Sequence, residues 1–199
     1  QNQIRNTLFP SIENTIKLIK ENHNIEINMN AIPDYDELTY KFLNQCLLSG
    51  VFQFETSGLS SNMVKLVQPT SIEELSDISA LVRPGPTQAG LHLEYAENKR
   101  QGFPTNPLPP ALDPILKKTY WVMTYQEQLM KICSDIAGFS EQESDDIRRA
   151  QGKKKLEVIK AYEDQFIKGC LKKQSLTESE AKHVWEQMLG FADYALKNY

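Results

Sequence analysis

The stretch Ser140–Lys155, Ser-Glu-Gln-Glu-Ser-Asp-Asp-Ile-Arg-Arg-Ala-Gln-Gly-Lys-Lys-Lys, carries both ends of a helix and a reversal of charge between them. Ser140 can cap the start, and Glu143, three residues on, can reach back to it, a reciprocal pair that satisfies two of the N–H groups orphaned at a helix N-terminus. Glu141, Glu143, Asp145 and Asp146 then fall near the positive end of the helix dipole, and Arg148 and Arg149 near its negative end. Both placements favour the helix. Gly152 supplies a left-handed stop, and Lys153, Lys154 and Lys155 open the next segment, which gathers five cations at one corner. Paired guanidinium forks match phosphate oxygens, and ammonium groups add charge without imposing one geometry, so the corner suits a polyanion. Spacing alone favours a plainer alternative, a solvated basic face.

The same helical grammar repeats outward from this stretch. Ser71 with Glu74 forms a second capping box, ahead of Ile72, Leu75, Ile78, Leu81 and Val82 on one face, until Pro84 ends the run. Thr177 with Glu180 forms a third, ahead of Ala181, Val184, Trp185, Met188 and Leu189. Leu156, Ile159, Phe166, Ile167, Cys170 and Leu171 make one more apolar stripe, and Ile12, Ile16 and Ile19 make an N-terminal amphipathic helix. A helix through Leu38, Phe42 and Leu43 starts at Asp34 or Asp36. Two short apolar and aromatic runs, 51–54 after Gly50 and Tyr120-Trp121-Val122-Met123, read as strands. The second leads into a helix from Gln126 with Leu129, Ile132, Cys133 and Ile136 inward. The predicted class is therefore mainly α with a few short β-strands, an α+β chain. Five prolines between Pro104 and Pro114 are too dense for a helix or a central strand, so 104–114 is a stiff connection between residues 1–103 and residues 115–199.

A chain of 199 residues with 40% hydrophobic content can bury a sizeable core. Its net charge of −4 is not that of a general nucleic-acid coat, so a phosphate site would be a local patch on an acidic body. Cys46, Cys133 and Cys170 are widely spaced and stand apart from His23, His92 and His183, which predicts reduced thiols and no metal site. No apolar run approaches the roughly 20 residues that span a bilayer, so a soluble cytoplasmic protein without a membrane partner is expected.

Four blocks carry a resemblance to a known family. Ile-Arg-Arg-Ala-Gln-Gly-Lys-Lys at 147–154 resembles the Leu-Arg-Arg-Ala-Met-Gly-Lys-Lys signature in the fingers of the bacterial replicative DNA polymerase III alpha subunit, a C-family polymerase, with Gln151 the notable departure. Val51-Phe52-Gln53-Phe54-Glu55 resembles its Val-Phe-Gln-Leu-Glu, Arg83-Pro84-Gly85-Pro86 its Arg-Pro-Gly-Pro, and Tyr125-Gln126-Glu127-Gln128-Leu129-Met130 its Tyr-Gln-Glu-Gln-Val-Met. The blocks occur in the family's order across roughly residues 12–192.

The resemblance implies the helical fingers domain of a DNA-directed DNA polymerase, a nucleotidyltransferase of DNA replication. It implies that Arg148 and Arg149, with Lys153 and Lys154, contact the incoming triphosphate. Arg83, Gln53, Glu55, Tyr125 and Gln126 would line the pocket. Its partners would be primed DNA template, the incoming deoxynucleotide, the palm of the polymerase and other replisome subunits. Catalysis would use Mg2+ held by palm aspartates outside this sequence, so the chain alone is expected to be inactive. At the far end Phe191-Ala192-Asp193-Tyr194 departs from the family's Phe-Ala-Gly-Tyr-Gly-Phe-Asn-Lys-Ser-His, whose histidine has no counterpart here. A phage-like or remnant module that binds DNA or a protein partner without catalysis fits the same residues.

Overall fold

A computed structural model describes residues 2–33, 35–55, 58–152 and 156–196, with only the backbone course given for 2–9, 151, 152, 156 and 192–196. The chain forms two compact units, Gln1–Asp36 and Glu37–Tyr199. In the first, α1 (Asn2–His23) is followed by a separate short 3-10 turn, Met29–Ala31, which Asn28 caps by accepting the Asn30 N–H. Lys20 pairs with Glu26 at 2.5 Å beyond the helix end.

The second unit is built from α2 (Glu37–Asn44), α3 (Gly58–Val67), α4 (Ile72–Leu81), α5 (Pro84–Gln88), α6 (Leu91–Gln101), α7 (Asp113–Leu116), α8 (Gln126–Lys131), α9 (Glu141–Gly152), α10 (Leu156–Lys160), α11 (Glu163–Lys173) and α12 (Glu178–Leu196). A π turn, Ile132–Ile136, continues α8. The fold is helical throughout the described residues, with no strand among them.

Both expected strands are therefore corrected. At 51–54 the chain turns: Gln53 sits at φ 67°, and the Phe54 and Glu55 N–H groups both donate back to the Val51 carbonyl. At 120–123 two consecutive left-handed residues, Tyr120 at φ 49° and Trp121 at φ 61°, reverse the chain, a conformation no ladder can accept. The Asn98 side chain and the Thr119 hydroxyl hold that reversal by bonding the Tyr120 and Val122 carbonyls. The aromatic and β-branched residues that suggested strands serve instead as anchors of tight turns.

Two buried clusters hold the unit together. One joins Tyr40, Leu43, Leu48, Phe54, Met63, Val64, Ile78, Leu81 and Tyr95; the other centres on Leu129, Ile132, Ile147, Phe166, Val184 and Trp185. Val122 enters the first and Met123 the second, so two adjacent residues feed both, and Leu91 packs against each. The stripe expected over 156–171 is broken at Ala161 and Tyr162 into α10 and α11, and α2 buries Tyr40 and Leu43 while leaving Leu38 and Phe42 exposed.

Candidate functional site

The basic corner starts from a local cap. The Ser140 N–H donates to Glu143 Oε2 at 2.8 Å and the Glu143 N–H returns to Ser140 Oγ at 3.3 Å, so the box expected from sequence opens α9. Bonds from Ser140 and Gln165 hold the Glu143 carboxyl below the usual carboxylate range. Ile147 and Ala150 are buried and fix which side of α9 faces the core. Arg148 and Arg149 consequently project at its margin, their side chains 37% and 59% exposed.

Both guanidinium groups converge on one carboxylate. Arg148 places Nε at 2.8 Å and Nη2 at 2.7 Å from Asp145 Oδ1, and Arg149 places Nε at 2.6 Å from Oδ2. Bonding from Arg148 comes first among the effects that keep the Asp145 carboxyl low. The two forks are thus disposed around one planar oxyanion, a geometry in which guanidinium donors can also bond phosphate oxygens. Lys153 and Lys154 lie outside the described residues.

Two of the remaining candidates, Tyr125 and Gln53, bond to side chains of α4. Asp77, 3% exposed, accepts from Tyr95 Oη at 2.8 Å and from Tyr125 Oη at 2.6 Å. One turn earlier Glu74, 7% exposed, accepts from the Thr70 N–H at 2.6 Å, the Tyr120 hydroxyl and Lys99 Nζ at 2.7 Å. Burial raises both carboxyls, and the two outcomes differ. Bonds from Lys99, Tyr120 and Thr70 bring Glu74 below its ordinary value, whereas the phenols facing Asp77 leave it raised. Burial, with the bond to Asp77 next, pushes the Tyr125 hydroxyl far above the ordinary tyrosine range, against the weaker pull of the nearby Arg83 charge.

Arg83 stands at the N-cap of α5 with an exposed side chain that makes no capping bond. Gln53 reaches α4 at another position, its amide oxygen accepting from Ser79 at 2.9 Å. Glu55 instead braces its own turn by accepting the Gly50 N–H at 2.8 Å, and Gln126 is half-buried in the first turn of α8. A cleft of about 180 Å3 between α6, residues 106–108, 121–123 and α12 contains none of these candidates.

Sequence spacing and resemblance mark none of Asp77, Tyr95, Tyr120 and Lys99 as functional, and mark Glu74 only as a cap. Its backbone N–H does bond Ser71 Oγ at 3.2 Å, but its carboxylate passes Ser71 for Thr70 and the buried network. The available signal was Asp77 itself, an acid directly before Ile78 on the inward face of α4. Among the described residues no group of three or more His, Cys, Asp or Glu side chains could hold a metal ion.

Comparison with known proteins then decides the family. The family model described as "Bacterial DNA polymerase III alpha subunit finger domain" matches residues 9–174. The chain belongs to that family. Its finger-domain sequence is 37% identical over 179 residues to a DNA polymerase III subunit alpha of Aquifex aeolicus, covering 90% of this chain and 15% of that protein. Those of Bacillus subtilis and Mycobacterium leprae are 36% and 35% identical over 183 and 188 residues, each covering 92% of this chain and 16% of the relative. The finger-domain chain thus spans about one sixth of the length of these curated relatives. No described helix is long and apolar enough to cross a membrane.

Proposed function

We propose that this chain is the nucleotide-positioning fingers region of a replicative, DNA-directed DNA polymerase acting in the cytoplasm. The observation that carries the reading is the convergence of Arg148 and Arg149 on the single Asp145 carboxylate at an exposed helix margin. In this reading the two arginines hold the triphosphate, with Lys153 and Lys154 adding charge, and Arg83, Gln53, Glu55, Tyr125 and Gln126 belong to the surrounding pocket. Holding the triphosphate in line with a primer end is a positioning contribution, made by charge and orientation and not by proton transfer. Primed template DNA, the palm and other replisome subunits are the partners, and the metal-binding aspartates belong to the palm. The chain alone carries no polymerase activity. The proline-rich 104–114 is read as the connection between residues 1–103 and residues 115–199, the first supplying most of one buried cluster and the second most of the other.

The test is direct binding of deoxyadenosine triphosphate to the chain by calorimetry. A charged hydrogen bond is worth roughly 1.5–3 kcal/mol, so Arg148→Ala or Arg149→Ala is expected to weaken binding about 10- to 150-fold. Circular dichroism should show the fold unchanged. Equal affinity in both alanine variants and the parent chain would reduce the corner to a solvated basic face.

A further inference from the structure

Tyr125 is held at both ends. Its backbone N–H, together with that of Thr124, donates to Gln128 Oε1 at 3.0 and 2.8 Å, and its hydroxyl donates to Asp77 at 2.6 Å. Asp77 is buried and Tyr125 is half-buried, with its hydroxyl bound at Asp77. Asp77 also takes the Tyr95 hydroxyl from α6, which ties its position to a second helix. A carboxylate so deeply placed and facing two phenols is an expensive way to build a core, and its geometric effect is to stop the Tyr125 ring from turning.

We propose that Asp77 is a positioning residue that locks Tyr125 so that its ring forms a stacking platform for a nucleobase. The proposal rests on the nucleotide-positioning reading above and adds what the pocket recognises beyond phosphate. An aromatic π-face attracts every base, because each base presents a π-face of its own, and it distinguishes bases poorly. That tolerance suits a site that must accept four different nucleotides in turn. A hydroxyl free to bond base edges would instead favour some bases over others. Committing the hydroxyl to Asp77 removes that bias and also removes rotational freedom that binding would otherwise have to freeze.

The experiment compares two probes on the full chain, deoxyadenosine triphosphate and tripolyphosphate, the second having no base to stack. Tyr125→Leu should weaken the nucleotide about 5- to 150-fold, the range for losing one base–aromatic stack, and leave tripolyphosphate binding unchanged. Tyr125→Phe and Asp77→Ala should each show a smaller nucleotide-specific loss, and the double variant should lose no more than either single one, because both cut the same tether. Asp77→Asn, whose amide oxygen can still accept the Tyr125 bond, should recover most of the affinity. The proposal is overturned if Tyr125→Leu binds the nucleotide like the parent, if the double variant shows additive loss, or if Asp77→Asn lowers affinity for both probes equally. If the parent chain bound neither probe, the triphosphate reading itself would fail, a result separate from all of these.

Discussion

A methyl group at Gly169 should be among the costliest small changes this fold can suffer. Gly169 lies in α11 where that helix crosses the turn after α8, and a Cβ built there would stand 2.0 Å from the Ala137 carbonyl oxygen, about 1.4 Å inside the 3.4 Å at which ordinary contact begins. The obstacle is backbone, so no rotamer relieves it and α11 must move away. Moving it also stretches the bonds by which Lys173 Nζ and Ser175 Oγ satisfy the Asp135 and Ile136 carbonyls of the π turn, each at 2.7 Å. Overpacking of about 1–3 kcal/mol and two hydrogen bonds of about 0.5–1.5 kcal/mol each give a loss of roughly 2–6 kcal/mol for Gly169→Ala. At about 2–4 °C per kcal/mol for a chain of this size, the melting temperature should fall by about 4–24 °C when followed by far-ultraviolet circular dichroism. Gly58→Ala, with nothing within 4 Å of the added carbon, is the control and should leave the melt nearly unchanged. A Gly169→Ala melt coincident with that of the parent would refute the close crossing.

Other consequences are open to equally simple measurements. Thr177→Ala removes the side chain that accepts the Glu180 N–H at 3.3 Å, and should cost about 1 kcal/mol in a denaturant titration. The folded-state pKa of Glu74 lies below 4.5, so its contribution to stability is present above that value and lost as pH falls through the folded one; Glu74→Gln should flatten this acid limb in pH-dependent melts. Asp77 is raised and contributes the opposite sign, stabilising the fold as pH falls through its folded value, so Asp77→Asn should make the same limb steeper. Arg149→Lys should restore only part of the triphosphate affinity lost in Arg149→Ala, because a point charge cannot replace a planar fork.

What the sequence disclosed was what short-range chemistry controls. The caps at Ser140 and Thr177 operate as their three-residue spacing required, and the apolar stripes located most helices. The strands at 51–54 and 120–123 failed because β-propensity reports fitness for a packed surface and does not see the left-handed torsions at Gln53, Tyr120 and Trp121. These torsions are maintained by contacts from far along the chain, such as the bond of Asn98 to the Tyr120 carbonyl. The Asp77–Tyr125 pair, 48 residues apart, was illegible for the same reason. Tyr125 was noticed through a motif, whereas its partner belongs to no recognised block.

The pairing of two arginines with one aspartate also sets how strongly this surface responds to salt. An anion arriving at Arg148 and Arg149 meets a cluster whose net charge is nearer one than two, because Asp145 has already taken the place of a condensed counterion. Binding there releases fewer small ions than two bare guanidinium groups would, and the logarithmic dependence of affinity on salt concentration becomes correspondingly shallow. If the corner is the triphosphate site proposed above, its attraction at long range would be weak and its hold would come from short-range geometry, so a net charge of −4 would be no handicap there.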